Sequence, residues 1–289
     1  MSRPTILVTG GNGQVGNELR VRARDFKKFN LLFIDREEVD LADSQAFNDF
    51  VEGKRFEYII NCAAYTAVDQ AESDESYARL INAEVPAMLS NYCKENHTRF
   101  IHISTDYVFD GNNNRPLKET DSTNPISVYG KTKLEGEQAV MNTLQSSYVI
   151  RTSWLYSSFG KNFVKTMLKL ATHKERLEVI SDQIGTPTNG SDLANAILSI
   201  VDQIEKGNDN PGIYHYSNEG VTSWYDFAKV IFRLSKVKCE VMPIPSSQFV
   251  TAARRPVNSL LDKTKIKNQF NLTIPHWIDS LEKTILVLR

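Results

Sequence analysis

The sequence predicts an α/β chain: a doubly wound parallel sheet with a smaller C-terminal α/β lobe. Three observations lead there. Short β-rich runs alternate with longer helical patterns, a glycine-spaced turn follows the first run, and small or hydroxyl residues stand just after later ones. Strand–helix alternation forces parallel strands joined by right-handed crossovers. In such sheets ligands lie beyond the carboxyl ends of the strands.

The β-rich runs are "TILVTG" at 5–10, "LLFID" at 31–35, "FEYIINCAA" at 56–64, "RFIHIST" at 99–105 and "YVIRTS" at 148–153. Between them "QVGNELRVRARDF", "SQAFNDFVEGK", "SYARLINAEVPAMLSNYCKE" and "KTKLEGEQAVMNTL" have helical spacing. Beyond about residue 155 the pattern loosens, through "SDLANAILSIVDQIEKG" and "SWYDFAKVIFRLSK" to the terminal "PHWIDSLEKTILVLR". The expected division is a dinucleotide-binding (Rossmann) domain over 1–155, whose sheet later segments can rejoin, and a mainly substrate-binding lobe over 156–289.

Composition bounds the partners. Across 289 residues, 34 basic side chains balance 35 acidic ones, leaving no net field for nucleic acid or an anionic membrane. Cys62, Cys93 and Cys239 are an odd number without a C-x-x-C pair, which points to a reducing compartment. The run after "MSRP" is too short for a signal-peptide core, and no apolar run reaches the roughly 18 residues of a membrane span. A cytoplasmic chain that meets charged ligands with local groups is expected.

"VTGGNGQVG" places Gly10, Gly13 and Gly16 between a strand and a helix. There the chain turns tightly, lets its backbone approach a pyrophosphate and packs a new helix on the sheet. Asp35, about 20 residues on, is placed to accept from a ribose hydroxyl, whereas the adjacent Arg36 suits the 2′-phosphate of NADP. The pair is compatible with NADH or NADPH. Asp40 can reach the adenine edge or serve a helix N-terminus. Ala63 and Ala64 end the third run with side chains small enough for a cofactor to pass.

Tyr129 and Lys133 are four apart at a predicted helix start, hence on one face. Reduction of a ketone leaves an alkoxide that needs a proton. A tyrosine, with a pKa near 10, can supply it if the lysine's charge lowers that pKa. Gly130 between them weakens the helix, which a closely approaching ligand would explain. Ser104 and Thr105, at the end of the fourth run, are both candidates to orient the carbonyl.

These segments, together with "NCAAYTAVDQAE", "ISTDYVFDG", "VYGKTKLEGE", "RTSWLY", "DQIGTPT" and "ARRPVNSLLD", resemble the extended short-chain dehydrogenase/reductases, and within them the dTDP-4-dehydrorhamnose reductase family. The resemblance implies NADPH- or NADH-dependent reduction of a dTDP-linked 4-keto-6-deoxy sugar in carbohydrate and lipopolysaccharide biosynthesis. It implies Thr105, Tyr129 and Lys133 as the catalytic triad. Cofactor contacts would fall on Gly13, Gln14 and Val15, on Asp35, Asp40 and Leu41, on Ala63, Ala64 and Tyr65, and on Tyr129 and Lys133. Trp154 would touch the substrate, with Val68 and Tyr107 as further pocket residues and Arg254 and Arg255 as clamps for the diphosphate. Some members bridge subunits with magnesium. Glu18 matches one such ligand, but Ser191 stands where a glutamate would help, which argues against a metal-bridged dimer; a monomer or homodimer remains expected. No catalytic-metal motif occurs. Two rival readings are an enzyme acting on another nucleotide sugar, as reductase or epimerase, and a non-catalytic cofactor-binding regulatory subunit, the role one relative serves for methionine adenosyltransferase.

Overall fold

Each of the five β-rich runs forms a strand. β1 (Thr5–Thr9), β3 (Tyr58–Asn61), β4 (Arg99–Thr105) and β5 (Tyr148–Thr152) are buried almost throughout, as strands covered by helices on both faces must be. β2 (Asn30–Ile34) alternates exposed and half-buried residues up to the buried Ile34 and lies at the sheet's edge. A sixth strand, β6 (Gly212–His215), returns from the later chain to pair with β5. The order is β6-β5-β4-β3-β1-β2, with every pair parallel. This computed structural model describes residues 3–288; Met1 and Ser2 of the N-terminal run and Arg289 of the terminal helical run lie outside the described residues.

The two-residue period of the strands divides the core into two layers. Ile6, Val8, Ile60 and Ile150 face one side, where they meet Val15 and Leu19 of α1 (Gln14–Arg22) and Leu193, Ile197 and Val201 of the helix Gly190–Glu205. Leu7, Ile59, Phe100 and Val149 face the other and pack on Phe47, Leu89 and Val140. A third apolar cluster builds the C-terminal lobe. There strands Arg176–Ile180 and Glu240–Ile244 pair in parallel beneath helices Trp224–Ser235 and Trp277–Leu288.

The helical run at 76–95 is not one uniform helix. Helical turns at Glu75–Arg79 and Val85–Glu95 flank a π-helical segment, Leu80–Glu84. Pro86 is the cause: it has no N–H for the carbonyl of Asn82 four residues back, and its ring would collide with that carbonyl in a regular α-turn. The widened turn turns the Asn82 side chain into the protein, where it is fully buried.

The helix carrying Tyr129 runs from Val128 to Thr143, one turn earlier than its apolar spacing suggested. Ser127 caps it by accepting from the Gly130 N–H at 3.2 Å. Glu72 accepts from the Val128 N–H at 2.9 Å. Gly130 is needed for a reason other than the one expected from sequence. A Cβ there would lie 2.2 Å from the carbonyl oxygen of Tyr107, so the chain's own close approach, not a ligand's, excludes a side chain.

Beneath this helix Arg151 of β5 and Glu137 form a fully buried ion pair, with Nη2 to Oε2 at 2.6 Å and Nε to Oε1 at 2.9 Å. Ser104 donates to the same carboxylate at 2.5 Å. Removing one member of such a pair strands a charge in a low-dielectric interior. Glu137→Gln should therefore lose about 3–5 kcal/mol in urea unfolding; a loss well below about 1 kcal/mol would show that the pair does not anchor helix to sheet.

Candidate active site

The carboxyl ends of β1, β2 and β3 open onto a cavity of about 550 Å³. After β1 its wall is the backbone of Gly10, Asn12 and Gly13. Gly10 sits at φ +65°, and a Cβ there would lie 2.7 Å from the Ala63 nitrogen, so the first and third strand ends cross in backbone contact. α1 starts immediately afterwards with Gly13 as N-cap and no acidic residue in its first turn. That leaves its free N–H groups and positive dipole end available to a pyrophosphate.

After β2, Asp35, Arg36, Asp40 and Leu41 line the cavity. The Asp35 carboxylate accepts from the N–H groups of Asn12 and Arg36, each at 2.7 Å, and so braces the glycine turn as well as facing the cavity. Arg36 is exposed, with Nε 3.4 Å from Asp40 and its guanidinium 5.7 Å from the centre of the Tyr77 ring. The helix N-cap is Asp43, which accepts from Gln45 and Ala46, rather than Asp40. After β3 come Ala63, Ala64 and Tyr65. Asn82 holds Tyr65 at both ends of its peptide, accepting from its N–H at 2.9 Å and donating to its carbonyl at 3.1 Å. This set of donors, carboxylates and small walls fits a dinucleotide.

Not every expected cofactor residue faces that cavity. Gln14 accepts from the Asn162 side chain at 3.1 Å, Val15 is 5% exposed within the core, and Gly16 packs against the carbonyl of Gly10. The side chains of Gln14 and Val15 thus support the turn, while their backbone N–H groups are among the free ones at the start of α1. Tyr77, Ile81 and Val85 line the cavity although no sequence signal marked them.

Beyond β4 the structure brings Thr105, Tyr129 and Lys133 to one place. The Thr105 hydroxyl donates to Asp106 at 3.0 Å, accepts weakly from the Tyr107 N–H at 3.3 Å, and hydrogen-bonds the phenol of Tyr129. Ser104, the other candidate, is committed to Glu137. The Tyr107 ring packs edge-on against Tyr129 with centroids 5.3 Å apart. Lys133 is 1% exposed. Its Nζ donates to the Ile103 carbonyl at 2.7 Å and lies 3.3 Å from Nε2 of His102. Burial brings the lysine down to about 8, opposed by the Glu137 charge.

The sequence argument that Lys133 lowers the Tyr129 pKa does not describe this geometry. Burial pushes the phenol up to about 12, the hydrogen bond with Thr105 being the opposing influence. Lys133 Nζ is turned toward Ile103 and His102 instead, and desolvation of the phenolate sets the direction.

The residues expected at the substrate are more scattered. Trp154 has φ +47°, rare for a side chain of its size. Its indole stacks on Trp224 at 3.6 Å and donates to Ser259 at 3.1 Å. Arg255 is held by Asp69, Nη2 to Oδ2 at 2.6 Å and Nη1 to Oδ1 at 3.1 Å, close beside Val68. Arg254 is exposed. Glu18 is buried against Ser191 and Arg22, and burial raises its carboxyl. No helix among the described residues is long and apolar enough to cross a membrane.

A parallel sheet with a glycine turn, an acidic second-strand end and a Thr–Tyr–Lys cluster beside the cavity defines an extended short-chain dehydrogenase/reductase. More narrowly, the chain belongs to the family described as the RmlD substrate binding domain, whose model matches residues 4–289. It is 38% identical over 282 residues to the dTDP-4-dehydrorhamnose reductase of Escherichia coli K12, covering 94% of each chain. Its structure matches that of a dTDP-4-dehydrorhamnose reductase from Clostridium acetobutylicum with TM-score 0.93 and 39% identity, covering 98% of this chain and 99% of the other. The Bacillus anthracis dTDP-4-dehydrorhamnose reductase, solved in complex with NADP, matches with TM-score 0.92 and 34% identity over 99% of each chain.

Asp106, which sequence reasoning passed over, is 2% exposed, and burial raises its carboxyl to about 6 against the lowering effect of Ser259 and Thr105. Its folded pKa exceeds the unfolded value near 4, so its contribution to stability is full below about pH 4 and is lost as pH rises through about 6. Asp106→Asn has no charge to bury. In urea unfolding it should exceed wild-type stability above pH 6 by on the order of 2–3 kcal/mol, the gap closing toward pH 4. A gap independent of pH would remove the buried carboxylate as its cause.

Proposed function

We infer that this chain reduces the 4-keto group of dTDP-4-dehydro-6-deoxy-L-mannose to give dTDP-L-rhamnose, using NADPH or NADH. The observation that carries the reading is full-length identity with reductases of that name, in a chain whose own Thr105, Tyr129 and Lys133 meet at the carboxyl edge of the sheet. The cofactor, when bound, supplies the hydride. Tyr129 donates the proton that the resulting alkoxide requires. Thr105 orients the reacting oxygen, and Lys133 holds the nicotinamide ribose and, once charged, favours the phenolate left behind. The complete triad weighs against a purely regulatory subunit.

Residues 1–155, completed by β6, are assigned to the cofactor and 156–289 mainly to the sugar nucleotide. Trp154, at the boundary of the two segments, is assigned to the substrate, because a bulky residue held at positive φ by its surroundings marks a functional constraint. Tyr107 and Asp69, the residue after Val68, both bond Arg255, which supports a shared role at the diphosphate with the exposed Arg254. Exposed Arg36 is the group to meet a 2′-phosphate. Nucleotide-sugar synthesis of this kind belongs in the cytoplasm.

Two measurements test the reading. Loss of NADPH absorbance should be fastest with the dTDP-linked ketone among dTDP-, UDP- and GDP-linked 4-keto sugars; equal rates would open the base specificity, and no oxidation with any of them would favour the regulatory alternative. Tyr129→Phe should lose about 10²–10⁴-fold in kcat while still binding NADPH. Full turnover in that variant would remove Tyr129 from its assigned role.

A further inference from the structure

Behind Lys133 runs a row of buried polar side chains that the reaction described above does not use. Parallel pairing sets Thr9, Asn61 and His102 side by side on β1, β3 and β4, and all three are fully buried. The Thr9 hydroxyl donates to Asn61 Oδ1 at 2.6 Å, and the Ala63 N–H donates to the same oxygen at 3.1 Å. A backbone N–H can only donate, so the amide cannot be flipped. Asn61 Nδ2 is therefore the group 3.0 Å from His102 Nδ1.

That fixes the histidine. Nδ1 must be the acceptor, so the imidazole is neutral with its proton on Nε2; a second proton on Nδ1 would set two donors against each other. Burial likewise holds the ring neutral. The Nε2–H then points at Lys133 Nζ, 3.3 Å away. An ammonium has three donors and no lone pair, whereas an amine can accept that hydrogen and still donate to Ile103. Among the other groups facing Lys133, Glu137 favours the ammonium, but no hydrogen bond joins the two. Glu137, one turn along its helix, is engaged by Arg151 and Ser104. Burial pushes the Cys62 thiol after β3 up to about 12, and the Tyr129 phenol is likewise raised.

We propose that His102, wired by Thr9 and Asn61 into its Nε2–H tautomer, is a positioning residue that favours the uncharged amine of Lys133 until a nicotinamide dinucleotide binds, so that the lysine takes up protons together with the cofactor. The ribose hydroxyls can accept from an ammonium, and the new contacts draw Nζ away from the imidazole. The proposal rests on the cofactor reading above but not on the identity of the sugar. It makes binding of the reduced dinucleotide the step that charges the site.

The test is calorimetric titration of NADPH at pH 8.5 in two buffers of different ionisation enthalpy, whose difference counts protons taken up. With the free lysine at about 8, wild type should take up on the order of half a proton or more, and Lys133→Met should take up none. His102→Asn keeps an amide oxygen for Asn61 but presents nothing to Lys133; its uptake should fall at least twofold. Asn61→Asp, a second route should that variant fold poorly, still accepts from Thr9 and Ala63 but can only accept from His102. It moves the imidazole proton to Nδ1, turns a lone pair toward Lys133, and should also lose the uptake. NADPH binding by wild type without proton uptake, or uptake undiminished in both variants, overturns the proposal. Wild type that binds no NADPH would overturn the cofactor reading, and this inference with it.

Discussion

The sheet ends in polar side chains that water does not reach, and the rest of the molecule is arranged to satisfy them. Thr9, Asn61, His102, Ser104 and Arg151 all lie below 5% exposure at the carboxyl edge. A buried donor or acceptor left unpaired costs roughly 1–3 kcal/mol, and an unpaired charge more. The solution here is mutual. Thr9, Asn61 and His102 satisfy one another across three strands, while Ser104 and Arg151 converge on Glu137. The helix that brings Glu137 to Arg151 also brings Tyr129 and Lys133 to the cavity. The ion pair thus sets the position of the catalytic helix even though it touches nothing that reacts.

The parallel sheet and most strand limits were legible because they follow from the alternation of short β-rich runs with helical spacing and from the crossover rule. The glycine turn and the Tyr129–Lys133 spacing were legible for the same kind of reason: each is a local pattern with a local physical cause. What was not legible depends on partners distant in sequence. Nothing in "YVIRTS" says that Arg151 pairs with Glu137, and nothing in "RFIHIST" distinguishes Ser104, which turns to that pair, from Thr105, which meets the phenol. Gly130 was read as making room for a ligand because the carbonyl of Tyr107 that excludes its side chain is invisible from neighbouring residues. The π-turn at Leu80–Glu84 had a visible cause in Pro86. Its consequence, an asparagine clamping Tyr65, required the fold.

With near-neutral net charge, recognition of a polyanionic ligand falls to individual cations, and this chain holds them in readiness. Arg36 rests on Asp40, and Arg255 on Asp69. Both pairs are partly solvated, and exposed pairs contribute only about 0–1 kcal/mol. Exchange of such a carboxylate for a phosphate therefore sacrifices little, while the pairing keeps the guanidinium from wandering. The same charges placed without partners would have to be ordered at the moment of binding, at a cost of about 0.5–1.5 kcal/mol per side chain.

The contrast between the two halves of the site follows from where each is anchored. Thr105 and Lys133 are fixed by buried bonds to a six-stranded sheet, so their positions are set before any ligand arrives. Arg255 and Ser259 belong to an irregular segment between Gln248 and Thr264, tied to the sheet domain through Asp69, and Ser259 in turn holds the Trp154 indole. Loops of this kind can change length and sequence without disturbing the core that positions the chemistry. Changes confined to that segment would leave the sheet-anchored groups in place. The surroundings of Thr105 and Lys133 are constrained far more tightly, because both satisfy buried neighbours in the sheet domain.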